Sequence, residues 1–267
     1  MSQLPVITSR RHPLIAACRD ARAGGDDQPL LLDGWHLVVE ATHSPLAVDA
    51  VLLGHDPPGA AERAAIAALV ERGAQVVRVT ADVMHAASPV RTPSGVVALA
   101  RRRVVDLDAV IGGGPALVAV LVDVQDPGNV GAVVRTAEAA GATGVVAAGI
   151  SADPFGWKAL RASMGSAFRL PVARLTDRHA IIGELRARGL ALVALAPLDG
   201  QPPDALDLTA PTALLLGGEG GGLPDPIVAG ADVRLRLPMR PPVESLNVAV
   251  AGALALYAAM AQRQGRP

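Results

Sequence analysis

Continuous apolar runs alternate with amphipathic segments along the second half of the chain. Runs of this kind are typical of strands that are buried on both faces of a parallel sheet. They predict strands at residues 116–122, 144–148, 190–196, 212–216 and 233–237. Because helical spacing follows between them, we expect an α/β fold in which helices cover both faces of a mostly parallel sheet.

The helices of this region are predicted from their apolar spacing and their end residues. A helix with a valine-rich stripe follows the first strand and ends at Gly141. A second helix is predicted to be capped by Thr176 and Asp177, and Ser245 is the predicted N-cap of the final helix. That final helix has an apolar stripe made of Leu246, Val250, Leu254 and Tyr257.

The first half of the chain shows the same alternation on a smaller scale. Strands at 51–53 and 75–80 flank a helix at 60–72, and the glycine-rich stretch 112–115 then interrupts the pattern. We therefore predict two domains and a linker: residues 1–103 as a small α/β domain, 104–115 as the linker, and 116–267 as the larger α/β domain.

Three loops stand out because each follows a predicted strand and contains glycines, prolines and a few polar side chains. They span residues 123–135, 216–223 and 237–248. Open α/β sheets bind ligands at the carboxyl ends of their strands. Three such loops in one domain therefore predict one composite site.

Asn129 and Arg135 are the polar candidates of the first loop. The Asn129 amide can donate and accept hydrogen bonds at the start of a helix, but a helix cap after the Pro-Gly turn explains it equally well. Arg135 can clamp a phosphate with two hydrogen bonds, or it can pair with Glu138 on the helix surface.

The second loop is glycine-rich over residues 217–222, which lets a backbone approach a ligand closely. It lacks the lysine of a Walker loop, and Pro224 and Pro226 suit a dinucleotide-binding helix badly. Glu219 would repel a pyrophosphate and suits a cationic or hydroxyl-bearing ligand. In the third loop, Asn247 precedes an apolar helix, and a buried amide needs hydrogen-bond partners.

Charge and cysteine content narrow the class of protein. The net charge is −1, so a nucleic-acid surface has to be a local patch; Arg10-Arg11 and Arg101–Arg103 are candidates, with solvated surface charge as the alternative. The lone Cys18 excludes an internal disulfide and a cysteine metal cluster, and the histidines show no ligand spacing, so we expect no metal. Without a signal pattern, and with 245–262 interpreted as a buried helix, we expect a cytoplasmic protein with no membrane span.

Together the three loops resemble the motifs of the SpoU-type (TrmH-type) RNA 2′-O-ribose methyltransferases of the SPOUT superfamily. The resemblance covers residues 116–263 and departs from the family pattern at Pro241, where many members carry glycine. The matching residues are Asn129 and Arg135 in the first motif, Gly217, Glu219 and Gly222 in the second, and Pro238, Met239, Ser245, Leu246 and Asn247 in the third.

The resemblance implies a trefoil knot in the sheet, although general connection rules alone give an unknotted one. It implies S-adenosylmethionine as methyl donor and an RNA ribose 2′-hydroxyl as acceptor, with Arg135 stabilising charge at the RNA. Functional roles are implied for Asn129, Arg135, Glu219, Ser245 and Asn247. A cofactor pocket is implied at Leu195, Ala196, Gly217, Gly218, Gly220, Leu237, Met239 and Leu246.

The N-terminal residues are similar, more loosely, to the ribosomal-protein-like substrate-binding domain of many members, through Thr8-Ser-Arg10, Asp33-Gly34 and Pro93-Ser-Gly-Val-Val-Ala98. We expect RNA as the partner and favour ribosomal RNA over tRNA, because an extra domain suits a structured target. The broad apolar surface of the final helix and the resemblance predict a homodimer in which Arg135 reaches the other subunit's site. A nicotinamide-dependent oxidoreductase and a non-catalytic RNA-binding module are the alternatives.

Overall fold

The structure is a computed structural model that describes residues 4–103 and 105–265, and it divides into two compact units. The first unit comprises residues 4–103 and Phe155–Arg169, and the rest of the described chain forms the second. The sequence-based boundaries place Phe155–Arg169 in the larger domain, whereas the structure groups this segment with the first unit. The predicted domains and linker also include residues outside the described ones, namely 1–3, 104, 266 and 267.

The first unit contains a five-stranded mixed sheet. Its strand order is β1-β4-β3-β5-β2, with β1, β4 and β3 parallel and β5 antiparallel to β3 and β2. The predicted strands and helix between residues 51 and 80 are confirmed as β3, α3 and β4. In chain order the elements are β1 (Val6–Ile7), α1 (Pro13–Ala23), β2 (Leu30–Asp33), α2 (Trp35–Thr42), β3 (Val48–Leu53), α3 (Ala60–Glu71), β4 (Gln75–Val79), α4 (Ala81–Ala87) and β5 (Val96–Ala100).

The remaining elements belong to the second unit except for α7, which packs against β2 of the first. In chain order they are α5 (Leu107–Ile111), β6 (Leu117–Val122), α6 (Pro127–Ala139), β7 (Gly144–Ala148), α7 (Trp157–Ser163), β8 (Val172–Leu175), α8 (Ile181–Ala187), β9 (Ala191–Leu195), β10 (Thr212–Gly217), α9 (Asp225–Gly230), β11 (Val233–Leu235) and α10 (Val248–Arg263). Trp157 packs against the core of the first unit, and this contact explains why α7 belongs to the first unit although its neighbours in sequence belong to the second.

The second unit contains a six-stranded sheet in the order β11-β9-β10-β6-β7-β8. Every described strand pair in it is parallel, which confirms the predicted parallel sheet. Each residue of β6 is buried, as the continuous apolar run predicts. Val122 and Gly217 are register partners, so β6 and β10 end at the same level. The loops that follow these two strands therefore begin side by side.

The predicted linker contains a helix rather than an extended connection. Asp106 caps α5 by accepting a hydrogen bond from a main-chain N–H at 2.8 Å. Leu107 and Val110 are buried in the core of the second unit. The glycines that follow α5 lead to the prediction of a flexible linker. A helix this short gives too little apolar periodicity to be recognised beside them.

Two predicted helix caps are wrong. The helix α8 begins only at Ile181, and Asp177 instead accepts a hydrogen bond from the His179 N–H in the turn before it. Thr176 therefore does not begin the helix. The N-cap of α10 is Asn247 and not Ser245.

The helix α10 packs with small residues inward. It lies against α6 and β10, and Gly252, Ala255 and Ala259 are among its buried residues. A Cβ on Gly252 would come 2.9 Å from Cδ1 of Leu216, so the helix has no space for a side chain at this position. Among the helices within residues 4–103 and 105–265, none combines the length and hydropathy that crossing a bilayer requires.

The apolar stripe of α10 faces outward. Val250, Leu254 and Tyr257 are 49%, 50% and 46% exposed, and Leu246, just before the helix, is 38% exposed. This corrects the interpretation of 245–262 as a buried helix, because within the single described chain these residues lie at the surface. The close approach of β10 at Gly252 turns this stripe outward, and the buried face of α10 is formed instead by Val248, Gly252, Ala255, Leu256 and Ala259.

Arg263 ties the last turn of α10 to the start of the sheet. Its guanidinium donates to the main-chain oxygens of Pro115, Ala116, Leu208 and Ala210 at 2.5, 2.9, 2.9 and 2.7 Å. The segment leading into β6, the segment leading into β10 and α10 are thereby held by one side chain.

Candidate active site

The ends of β6 and β10 bring the first and second predicted loops together. Gly218 lies so close to the chain leaving β6 that a Cβ there would come 2.2 Å from the main-chain oxygen of Asp123. Only glycine fits at this position without a shift of the backbone. The sequence analysis explains these glycines by close approach of a ligand. At Gly218 the closely approaching group is instead the protein's own backbone.

The glycine loop also folds back on itself. The N–H of Gly222 donates to the oxygen of Gly218 at 3.1 Å, and a Cβ on Gly217 would come 2.1 Å from the carbonyl carbon of Gly222. Gly220 and Gly222 have φ values of +82° and +65°, which side chains disfavour. Gly221 has neither constraint, because its φ is not positive and a Cβ there meets nothing within 4 Å. Close contacts account for Gly217 and Gly218 and positive φ values for Gly220 and Gly222, which leaves Gly221 unexplained.

A cavity of about 530 Å³ opens beside this loop. It lies at the ends of β9, β10 and β11 and at the start of α10. All the residues predicted to hold a cofactor line it, namely Leu195, Ala196, Gly217, Gly218, Gly220, Leu237, Met239 and Leu246. Nine further lining residues were not among the predicted cofactor contacts, namely Pro197, Leu216, Gly221, Gly222, Leu223, Val228, Leu235, Val248 and Ala251. Most are apolar neighbours of predicted residues, and their position at strand ends is the signal that points to them.

Three polar side chains form a hydrogen-bonded chain beside the cavity. Nδ2 of Asn247 donates to Oδ1 of Asn129 at 3.0 Å, and Nδ2 of Asn129 donates to Oε1 of Glu219 at 2.6 Å. Because a carboxylate only accepts, the Asn129 amide turns its nitrogen to Glu219 and its oxygen to Asn247. Each of the three predicted loops contributes one residue to this amide chain.

The helix caps at this place are separate from the Asn129 side chain. Asp126 is the N-cap of α6 and accepts a hydrogen bond from the Asn129 N–H at 2.9 Å, so the interpretation of Asn129 as the cap is wrong. Oδ1 of Asn247 accepts hydrogen bonds from Ala249 N and Val250 N at 2.9 and 3.3 Å. Asn247 therefore caps α10 and fixes the far end of the amide chain at the same time.

Ser245 and Arg135 lie in different places. Ser245 lines the cavity. Arg135 is exposed on α6, about 9 Å along the helix axis and about 120° around it from Asn129. The described part of one chain therefore brings Asn129, Glu219, Ser245 and Asn247 together at the cavity and places Arg135 away from them.

Asp123 supports the edge between the first loop and the glycine loop, and the sequence analysis did not identify it. Its carboxylate accepts a hydrogen bond from Ile150 N at 2.9 Å and pairs with Arg178. Its own φ is +57°, so the chain turns sharply as it leaves β6. An aspartate directly after a strand is the only sequence signal, because its partners come from the loops after β7 and β8.

Glu219 is the only charged side chain that lines the cavity in the described part of the chain. The other lining groups are apolar or neutral, so the cavity suits a ligand with an apolar body and a cationic or hydroxyl-bearing end. Within residues 4–103 and 105–265, no group of three or more His, Cys, Asp or Glu side chains is placed to hold a metal ion.

Comparison with known proteins assigns the chain to a family. Residues 116–257 match the model of the SpoU rRNA Methylase family. The chain belongs to this family. It is 34% identical over 228 residues to the 23S rRNA (guanosine(2553)-2′-O)-methyltransferase RlmP of Bacillus subtilis, an alignment that covers 85% of this chain and 86% of that protein. It is 32% identical over 240 residues to the 23S rRNA (guanosine-2′-O-)-methyltransferase RlmB of Bordetella pertussis, covering 88% of this chain and 98% of that protein.

A solved structure agrees with this assignment to the SpoU family. The AdoMet-bound rRNA methyltransferase from Sinorhizobium meliloti superposes with a TM-score of 0.84 and 28% identity, over 96% of this chain and 97% of that one. The resemblance carried by the three loops is thus confirmed, and family membership decides against a nicotinamide-dependent oxidoreductase. Met239 lines the cavity even though Pro241, two residues later, departs from the family pattern.

Proposed function

We propose that this SpoU family member transfers a methyl group from S-adenosylmethionine to a ribose 2′-hydroxyl in structured RNA, with ribosomal RNA as its substrate class. The observation that carries the proposal is the cavity, where strand ends and a close-packed glycine loop meet the amide chain that ends in the carboxylate of Glu219. The names of the Bacillus subtilis and Bordetella pertussis relatives support the choice of ribosomal RNA over tRNA.

The residues of the cavity fit this cofactor. Leu195, Leu237 and Leu246 would offer it apolar surface. The bare main chain of residues 217–222 offers N–H and C=O groups without side chains in the way. Glu219 offers a negative charge to a positively charged ligand. When bound, S-adenosylmethionine supplies an electrophilic methyl group on its sulfonium.

With the methyl group supplied in this form, the protein has to orient a weak nucleophile and manage its proton. Glu219 is held by Asn129 and retains acceptor capacity for a ribose hydroxyl. Asn247 fixes the orientation of Asn129, and Ser245 adds a hydroxyl to the cavity wall. The Arg135 guanidinium only donates hydrogen bonds, so we assign it to stabilise negative charge at the RNA.

Methyl transfer to purified RNA tests the proposed function. Ribosomal RNA and tRNA from a strain lacking the gene are incubated separately with the protein and radiolabelled S-adenosylmethionine. We expect label in ribosomal RNA as a 2′-O-methyl nucleoside and about 10²-fold slower labelling with Asn129→Ala at equal concentration. Label in tRNA alone would show that tRNA, and not ribosomal RNA, is the substrate. S-adenosylmethionine binding without transfer to either RNA would favour a non-catalytic RNA-binding module.

We also propose a homodimer that forms through the exposed stripe of α10. Large apolar side chains at Val250, Leu254 and Tyr257 are about half exposed, and a second copy of the same stripe is a self-complementary cover. Arg135 lies away from the cavity of its own chain and would serve the partner subunit's site.

Mixing two inactive variants tests the shared site. Arg135→Ala and Asn247→Ala, co-folded as a verified heterodimer, should regain up to half of the parent activity, because one of the two sites then has both residues intact. Each variant co-folded with itself is the control. A heterodimer without activity would place both residues in the site of one chain, and a monomer in light scattering would contradict the dimer itself.

We further propose that the second unit contains the trefoil knot, that the first unit is the RNA substrate-binding domain, and that the protein is cytoplasmic. The connection from β11 to α10 supports the knot, since β11 pairs at the sheet edge whereas α10 packs on β10 and α6. The basic clusters add less to RNA binding than the sequence suggests, because Arg10, Arg101 and Arg102 each pair with an aspartate of the first unit.

A further inference from the structure

The first unit contains a second cavity, of about 310 Å³. Besides Gly34, Leu37, Val90 and Met164, its lining includes polar and aromatic side chains from three segments of the chain. Asp33, Trp35 and His36 come from the end of β2 and the start of α2, Thr92 and Ser94 from the loop before β5, and Arg161 from α7.

Asp33 is the buried group of this cavity, with its side chain only 3% exposed. The Ser88 hydroxyl donates to its Oδ1 at 2.8 Å, and Nη1 of Arg161 donates to its Oδ2 at 3.3 Å. Burial raises the pKa of Asp33, and the contacts with Ser88 and Arg161 oppose that shift. Each carboxylate oxygen can accept a second hydrogen bond, so Asp33 still has acceptor capacity toward a ligand.

The other lining groups suit a nucleotide. Trp35 provides an aromatic surface, and aromatic residues are where unpaired bases stack in protein–RNA complexes. Arg161 keeps 47% of its side chain exposed beside Asp33, so it can meet a phosphate while holding the carboxylate. The hydroxyls of Thr92 and Ser94 can donate to or accept from a ribose.

We propose that this cavity binds one unpaired nucleotide of the RNA substrate and prefers a base that has an amino group. This inference rests on the proposed function for its choice of RNA as the ligand. The Asp33 carboxylate is an acceptor for amino N–H groups of adenine, cytosine or guanine. Uracil fits worse, because carbonyl oxygens flank its one N–H and would face the carboxylate. A phosphate alone fits worse still, because the buried carboxylate repels it.

A simpler alternative is that Asp33 and Arg161 only fasten α7 to β2. A fastening role predicts effects on stability and none on base preference. A nucleotide site predicts that base preference depends on the carboxylate itself. Replacing Asp33 by asparagine separates the two, because the amide adds a donor where only acceptors were present.

The experiment measures fluorescence anisotropy of labelled RNA pentamers with the full chain. The pentamers are UUAUU, UUCUU, UUGUU and UUUUU. We expect the parent protein to bind the first three about tenfold more tightly than the last. Asp33→Asn should remove that preference. Trp35→Leu should weaken binding of all four about tenfold or more, and Trp35→Phe should restore most of it.

Two further variants keep the test decisive. Asp49→Asn is the matched control: it breaks an ion pair with Arg101 in the same unit, away from the cavity, and should leave base preference unchanged. Arg161→Gln alters a half-exposed side chain and should weaken binding of all pentamers even if Asp33→Asn proves unstable. Equal affinity of the parent for all four pentamers, or unchanged binding by Trp35→Leu and Arg161→Gln, would overturn the proposal.

Calorimetry with S-adenosylmethionine on the same proteins separates this inference from the proposed function. Variants of the first unit's cavity should bind S-adenosylmethionine as the parent does. A parent that methylates ribosomal RNA but does not discriminate between pentamers would overturn only the nucleotide site. A parent that discriminates between pentamers but neither binds S-adenosylmethionine nor transfers methyl groups would overturn only the methyltransferase, and the cavity would stand as an RNA-binding site.

Discussion

The glycine loop and the amide chain meet at one cavity, yet different physical constraints act on their sequences. The loop is constrained by volume, since the backbone beside Gly217 and Gly218 leaves no space for a Cβ. The amide chain is constrained by direction, since Glu219 can only accept and Asn247 is committed to a helix cap. One added carbon violates the first constraint, whereas the second fails only when a donor or an acceptor changes. Substitutions of similar size should therefore act on folding in one region and on turnover in the other.

The largest effect is expected for Gly217→Ala. Its Cβ would come 2.1 Å from backbone atoms of Gly222, so the loop or β10 has to move. We expect a loss of about 3 kcal/mol or more in the free energy of unfolding and no measurable S-adenosylmethionine binding. Urea denaturation and calorimetry on the same preparation measure both.

Gly221→Ala is the matched control within the same loop, because its Cβ meets nothing within 4 Å. It should unfold like the parent, and any loss of cofactor affinity would then report close approach of the ligand. If Gly217→Ala folds and binds as well as Gly221→Ala does, volume is not the constraint on this loop.

Asn129→Ala should have the next largest effect, on turnover and hardly on stability. It interrupts the amide chain and leaves Glu219 without its partner, so we expect about a 10²-fold loss of methyl transfer. Asp126→Ala is the contrasting change, because it removes the cap of α6 and should cost about 1 kcal/mol of stability. An Asn129→Ala protein that is less stable but fully active would reverse these two assignments.

The smallest effect concerns a directed hydrogen bond away from the cavity. Asp232 accepts from Leu192 N at 2.8 Å and pairs with Arg186, and these contacts hold the pKa of Asp232 below its ordinary value. A carboxylate with a lowered folded-state pKa contributes stability above its unfolded value of about 3.9, and that contribution is lost as the pH falls through the folded value.

Because Asp232 is partly exposed, we expect well under about 1 kcal/mol from this effect. The difference in urea midpoint between parent and Asp232→Asn should be present at pH 7 and should shrink in acid below the ordinary aspartate pKa. S-adenosylmethionine binding at neutral pH should be the same in both. A difference that grows in acid would contradict the sign.

Much of the parallel sheet and of the cavity could be predicted from the sequence, because apolar runs identify buried strands and polar loops mark their ends. The residues near Leu195, Gly217 and Leu237 follow from that logic together with the family resemblance. The position of α7 could not be predicted, because its apolar face is satisfied by the first unit, far away in sequence. The helix caps could not be predicted either. Ser245 and Asn247 are both good capping residues, and which of them caps α10 depends on where the backbone becomes helical.

The outward direction of the apolar stripe of α10 also depends on residues that are distant in sequence. Periodicity shows that Val250, Leu254 and Tyr257 share a face, and burial is the usual consequence. Which face is inside depends on how close β10 comes to Gly252, and that distance is set by strands elsewhere in the chain. A pattern of hydrophobic residues thus predicts that a helix forms more reliably than it predicts which face of that helix is buried in the same chain.

The hydrogen bonds of Arg263 to the segments before β6 and β10 form only at the end of translation. β6 can pair with β7, and β7 with β8, soon after these strands leave the ribosome, but the other edge of β6 waits for β10, and Arg263 is made later still. Until β10 is made, the apolar strand β6 has an unpaired edge, which invites pairing with other chains. The methyl donor cannot help this nascent form, because the cavity needs residues as late as Ala251. The interval between synthesis of β8 and synthesis of β10 is therefore when β6 is most open to pairing with other chains.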